Sequence, residues 1–294
     1  MTKDMAPSTA VKPKSLDKIK LLCNTRMATI IVGSQKKKFG VHQALICDRS
    51  QYFNKAFTGS FQEAETGIVE LKDVSPVLFQ IFVGWLYYDK LIYTVLDESS
   101  SVAEDFESLE TSIKIDPEGP DAVGEDPSTW PYHMIIELYM FADRFDVKAL
   151  RIVTLDVFID STLTNQLTML VSSYEYIWAH THASSPLRKF VVHELAYRSV
   201  YEEGATWWLG LPKEMLLEVL TTLGRRVPKN LCNACYKKGL ANNEVKDLKQ
   251  HGMCESRDIA PYKLDRCFYH EHTSEEERNT CLNRREKMVK EASD

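Results

Sequence analysis

Lys38-Phe-Gly-Val-His-Gln-Ala-Leu-Ile-Cys47 is the stretch on which the reading of the fold turns. Phe39 and Val41 alternate with small or polar neighbours, the period of a half-buried strand. Ala28-Thr-Ile-Ile-Val32 upstream reads as a buried strand, and Gly33-Ser34 opens the turn that pairs the two as a hairpin. Ala44, Leu45 and Ile46 favour a short buried helix. In Ser50-Gln-Tyr-Phe-Asn-Lys-Ala-Phe57, Ser50 can cap a helix whose Phe53, Ala56 and Phe57 share one face. Val69-Glu-Leu-Lys-Asp-Val-Ser-Pro76 supplies a third strand. Its Ser75-Pro76 pair is a helix start, with a capping hydroxyl before proline at the first helical position. From Val77 to Tyr88 only Gln80 and Gly84 interrupt apolar residues, so that helix is expected to be buried on all sides.

A compositional break follows. Between Asp97 and Asp126 eleven acidic residues face one lysine, Lys114, with Pro117, Gly119, Pro120 and Gly124. Such a segment buries too little apolar surface to offset its ordering entropy, and residues 97–128 read as an exposed, disordered insertion. Order is expected again from Trp130. Ile135, Leu138, Ala142 and Phe145 recur at helical spacing, and Asp146 can cap a helix carrying Leu150, Val153 and Val157. Three more helices are predicted: from near Thr164, from Ser185-Pro186, and from Pro212 to a C-terminal Gly224.

These motifs together resemble the BTB/POZ domain over about Arg26 to Ile159. Phe39, Val41, His42 and Leu45 fall on that family's Phe-x-Val-His-x-x-x-Leu signature, and Ser50, Phe53 and Phe57 on its Ser-x-x-Phe-x-x-x-Phe helix. Val69 to Val74 matches the strand before its buried helix, and Trp85-Leu-Tyr-Tyr88 the end of that helix. Leu138-Tyr-Met-Phe-Ala-Asp-Arg-Phe-Asp-Val147 matches its Leu-x-x-x-Ala-Asp-x-Phe helix. The full arrangement looks most like fungal BTB proteins with a C-terminal Cys/His segment. The resemblance implies an α+β fold, a small three-stranded sheet capped by helices. The chain then divides into a disordered tail (1–20), the BTB/POZ domain (21–160), a helical extension (161–226) and a Cys/His-rich segment (227–294).

The same resemblance implies work by binding. BTB domains commonly form homodimers, and many bring a client to cullin-based ubiquitin ligases through a hydrophobic-x-Glu motif placed before the third strand. Phe61-Gln62-Glu63 occupies that place. An exposed aromatic beside a carboxylate makes an anchor with an orienting charge. The alternative is a loop phenylalanine folded back onto the domain. No nucleophile, base and orienter surround His42 in sequence, and His193-Glu194 lacks the second histidine of a zinc-protease helix. With no Gly-rich phosphate loop either, the expectation is a non-enzyme.

Five of the seven cysteines crowd the last quarter: Cys232, Cys235, Cys254, Cys267 and Cys281. Cys23 and Cys47 sit in apolar surroundings and read as core packing. With no secretory pattern at the N-terminus, thiols are expected reduced and the protein intracellular, cytoplasmic or nuclear. No run approaches the ~18 apolar residues of a membrane span. Cys232-Asn-Ala-Cys235 is a knuckle presenting two thiolates, followed by Cys267-x-x-His270, His272 and Cys281. This charged segment is poor in aliphatics, so a structural zinc ion is the expected staple. The leading tetrad is Cys232, Cys235, Cys267 and one of His270, His272 or Cys281, with Cys254 in reserve. His270 and His272 would point apart in an extended strand. The alternative function is a DNA-associated transcriptional regulator using the zinc module. However, the net charge is −6, and from Arg225 onward fifteen basic residues meet twelve acidic ones, which speaks against a nucleic-acid surface.

Overall fold

The computed structural model describes residues 14–93, 126–127, 130–164, 169–198, 206–226, 261 and 265–291. Two compact units divide them: 14–93, 126–127, 130 and 137–151 in the first, the remainder in the second.

In the first unit, β1 (Met27–Val32) pairs antiparallel with β2 (Lys37–His42), Ile30 opposite Phe39. It pairs in parallel with β3 (Ile68–Leu71), Ile30 opposite Val69, giving the order β2-β1-β3. Ala28, Ile30 and Val32 are wholly buried, the period-2 pattern of the sequence. The hairpin needs left-handed backbone at Gly33 (φ 74°) and Lys36 (φ 53°). A Cβ at Gly33 would stand 3.1 Å from the ring of Pro76, so backbone and neighbour both favour glycine there.

Three short helices cross from β2 to β3: α2 (Gln43–Arg49), α3 (Gln51–Thr58) and α4 (Gln62–Thr66). Ser50 caps α3, its Oγ accepting from the Phe53 N–H at 3.2 Å and donating to the Phe145 carbonyl at 2.6 Å. Ser75 caps α5 (Pro76–Tyr88) by accepting from the Val77 N–H at 3.2 Å, as the Ser-Pro pair predicts. Val77, Leu78, Phe79, Ile81, Phe82, Trp85 and Leu86 of α5 are buried. Phe53 stacks on Phe57, Phe82 and Phe145 at the centre of this unit.

Several expectations are corrected. Residues 14–20, placed in a disordered tail, belong to α1 (Lys14–Leu22), where Lys18 donates to Asp89 at 2.7 Å. Residues 1–13 and 94–125 lie outside the described residues, including nearly all of the acidic insertion. Cys23 is exposed, because the chain leaves α1 at that point. Asp146 does not cap. It takes a left-handed conformation (φ 48°) where α6 (Tyr132–Arg144) ends, and its carboxylate accepts from Arg151 at 3.3 Å. Helix α7 (Lys148–Thr164) ends where a new helix was predicted, because its buried face continues through Leu155, Phe158, Ile159 and Thr162.

The second unit contains residues 131–136 and 152–164, then α8 (Val171–His180), α9 (Pro186–Arg198), a short 3-10 helix (Trp207–Gly210) and α10 (Lys213–Arg226). Gly224 lies inside α10, because an exposed glycine without a left-handed conformation does not stop a helix. A second 3-10 helix (Arg266–Tyr269) and α11 (Glu275–Glu291) complete it. Aromatic contacts run Tyr132–Phe158–Phe190–Tyr269 with centroids 5.7, 5.6 and 5.7 Å apart. Buried Glu194 accepts from the Tyr174 hydroxyl at 2.9 Å, tying α9 to α8. Among the described residues no helix is long and apolar enough to cross a membrane.

Candidate functional site

The first candidate surface lies on the crossover. A Cβ at Gly59 would stand 2.6 Å from the Lys55 carbonyl oxygen and 3.0 Å from the Phe61 ring, so the chain turns tightly here only with glycine. Phe61 is the N-cap of α4 and 60% exposed, so it does not fold back onto the domain. Glu63 is half-buried in the first turn of α4, where a carboxylate suits the helix dipole. The C-terminal part of the helix is tied to β1 and Arg26. Gly67, at φ 68°, donates to the Glu63 carbonyl at 2.9 Å and accepts from the β1 residue Thr29 at 2.9 Å. Arg26 donates to the Ala64 carbonyl at 3.2 Å. An apolar ring and a carboxylate are thereby presented on a fixed support.

His42 has a structural role. Its backbone N–H donates to the Tyr87 hydroxyl at 3.1 Å, and its Nδ1 lies 2.7 Å from the same oxygen. One hydroxyl that accepts from the backbone and hydrogen-bonds the ring nitrogen satisfies both. Burial pushes the Cys47 thiol up to about 11 despite the lowering influence of Arg26, so it is not a thiolate nucleophile at neutral pH.

The second candidate is a side-chain cluster in the other unit. Cys267, His270, His272 and Cys281 bring one ligand atom each to within 4.8 Å of one another, and could hold a metal ion. Asp265 caps the 3-10 helix by accepting from the Cys267 N–H at 2.9 Å, which turns Cys267 inward. The chain then bends rather than extending as a strand, so the rings of His270 and His272 meet edge to face at 5.3 Å instead of diverging. Ser274 accepts from the Glu277 N–H at 3.1 Å, and Glu277 accepts from the Thr273 N–H at 2.8 Å. This exchange fixes the start of α11, whose side places Cys281 Sγ 3.4 Å from His270 Nδ1. The opposite nitrogen of that ring, Nε2, lies 3.2 Å from Asp156 on α7.

Burial lowers the pKa of His270, but hydrogen bonds to Asp156 and Cys281 and their charges outweigh it, leaving it at about 9. Burial, with Cys281 alongside, pushes the Cys267 thiol up to about 12. A metal entering this group must therefore displace protons. The fit to an ion is close. Bonds of about 2.0–2.3 Å hold tetrahedral ligands about 3.3–3.8 Å apart, so the group needs to contract by only about 1 Å.

Cys232, Cys235 and Cys254 lie outside the described residues. The sequence spacing favours the Cys232/Cys235 knuckle, and nothing near His270 in sequence points to Asp156. The local signal was Ser274-x-x-Glu277, which starts a helix directly after His272 and turns Cys281 back. Asp156 is 114 residues from His270 and gave no signal.

The 3-10 helix is seated on α9. Lys189 Nζ sits 3.7 Å over the Phe268 ring, and His193 Nδ1 is 2.7 Å from the Tyr269 hydroxyl. Burial and then the charge of Lys189 hold His193 down at about 4 from its ordinary 6.5. A depressed folded pKa means the associated stability is complete above the unfolded value and lost as pH falls through the folded one. After solvent screening that is about 1–2 kcal/mol between roughly pH 7 and pH 4. Chemical denaturation across that range should show wild type losing more stability than His193→Gln. Equal acid sensitivity would contradict the assignment.

The fold of the first unit, a three-stranded sheet in the order β2-β1-β3 with helices crossing between its strands, is the one the BTB/POZ resemblance implies. Residues 19–112 match the BTB/POZ domain family, and the chain carries a BTB/POZ domain there. Among curated relatives, Kelch repeat and BTB domain-containing protein 4 of Homo sapiens is 28% identical over 61 residues, 21% of this chain and 11% of its own. Kelch-like protein 30 of Mus musculus is 31% identical over 81 residues, 28% of this chain and 14% of its own. The matched part thus spans only about an eighth of the length of these relatives.

Proposed function

We propose that this chain is a non-enzymatic adaptor that presents a client protein to a cullin-based ubiquitin ligase. The BTB/POZ domain would hold the scaffold and a second copy of itself, and the helical extension (161–226) would widen the scaffold contact. The C-terminal segment (227–294) would be stapled by a structural zinc ion. The observation that carries the adaptor reading is Phe61, 60% exposed at the start of α4 with Glu63 in its first turn. An apolar anchor on a rigid support loses little conformational entropy on binding, and the neighbouring carboxylate restricts orientation.

Affinity purification of the intact protein with mass spectrometry tests this. Phe61→Ala or Glu63→Lys is expected to cost about 2 kcal/mol of binding, a loss of cullin recovery of roughly 30-fold, with unchanged melting temperature for Phe61→Ala. Equal recovery from the variants would remove these two residues from the contact. No cullin with the wild type would remove the adaptor reading itself.

A further inference from the structure

We propose that one zinc ion is bound by Cys267 Sγ, His270 Nδ1, His272 and Cys281 Sγ alone, with Asp156 as the positioning residue behind His270. This deepens the structural-zinc reading above and rests on it. It differs in assigning the ligands to one span of fifteen residues, without Cys232, Cys235 or Cys254.

Three observations carry it. The four ligand atoms already lie within 4.8 Å of one another, with Cys267 buried and the His270 side chain 1% exposed. The chemistry of the set suits the ion, since two thiolates neutralise its charge and two imidazoles complete a closed tetrahedron. The third is the direction of the His270 ring. Its Nδ1 faces Cys281 at 3.4 Å while Nε2 meets Asp156 Oδ1 at 3.2 Å, so the carboxylate lies across the ring from the ligands. Holding the Nε2 proton fixes the tautomer that leaves Nδ1 free for metal, the outer-shell arrangement that raises ligand basicity.

Asp160, one turn along α7 from Asp156, accepts from Arg266 immediately before Cys267. The same helix therefore grips the ligand-bearing turn at two points. Zinc at the cluster would lock residues 265–284 onto α7, and the metal would act as a removable staple for that docking.

The test is zinc stoichiometry and affinity of the full-length protein purified under reducing conditions. One zinc per chain is expected in wild type and in Cys232→Ser/Cys235→Ser, and none in Cys281→Ser. Asp156→Asn should keep the stoichiometry but weaken zinc affinity about 10–100-fold. If Cys281→Ser does not fold, Cys281→His keeps a ligand, and its cobalt-substituted spectrum should lose part of the sulfur-to-metal absorption.

Zinc that is lost from the Cys232/Cys235 variant and kept by Cys281→Ser would overturn this inference while leaving structural zinc standing. A zinc-free wild type, with or without a Cys267–Cys281 disulfide, would overturn both. Unchanged affinity in Asp156→Asn would remove Asp156 from the assignment.

Discussion

Phe53→Ala is expected to destabilise the first unit by about 3–5 kcal/mol, the range for truncating a wholly buried phenylalanine. Phe53 is 0% exposed, and its ring lies 5.5 Å from Phe145, 6.2 Å from Phe82, 6.4 Å from Phe57 and 6.5 Å from Phe79. These four rings come from three separate stretches of chain, so collapse of one into the vacated volume would pull on backbone already fixed by other contacts. The cost therefore belongs near the top of the range. Domains of this kind have only about 5–15 kcal/mol in total, so this loss removes a large share of their stability. Urea denaturation followed by tryptophan fluorescence reports it, since Trp85 stacks 6.2 Å from Phe82. Tyr52→Ala, next in sequence but 41% exposed, should cost about 1 kcal/mol. Similar losses for the two variants would refute the central place given to Phe53.

Chelation of metal is expected to abolish protection in residues 265–284 while leaving the β1–β3 sheet unchanged. Within that stretch only Cys267, Tyr269 and the side chain of His270 are buried. Their burial contributes about 2–5 kcal/mol, whereas fixing each residue costs about 1–2 kcal/mol of conformational entropy. Hydrogen bonds and ion pairs such as Arg278 to Asp265 at 2.7 Å are exposed enough to add little. Structural zinc supplies about 10–16 kcal/mol in small zinc modules, which is the scale of the missing stabilisation. Hydrogen–deuterium exchange before and after treatment with a strong chelator is the measurement. Retained protection at 265–284 would show that the segment stands without metal, and equal loss in β1 would point to general unfolding.

How far these features were legible depends on the distance over which each interaction acts along the chain. Ser75-Pro76 announced α5 because a cap and its helix are adjacent, and the alternation at Ala28, Ile30 and Val32 announced β1 because burial repeats every second residue. Asp146 misled for the same reason. It had the right type for a cap, but the turn after α6 placed its backbone in the left-handed region, where it cannot cap. Phe61 and Glu63 could be located by order of elements alone, yet exposure and support depend on how α4 is tied to β1 and Arg26.

The sequence by itself determined the three strands, the helices α2, α3 and α5, the BTB/POZ likeness, and the supply of thiols and imidazoles near the C-terminus. Only the tertiary structure decided that Cys267, His270, His272 and Cys281 converge, that His270 is backed by Asp156, and that Ser50 joins α3 to Phe145. Local patterns are written by neighbours a few residues apart. Pairings 95 and 114 residues apart are set by how the helices pack, and no short window of sequence contains both partners.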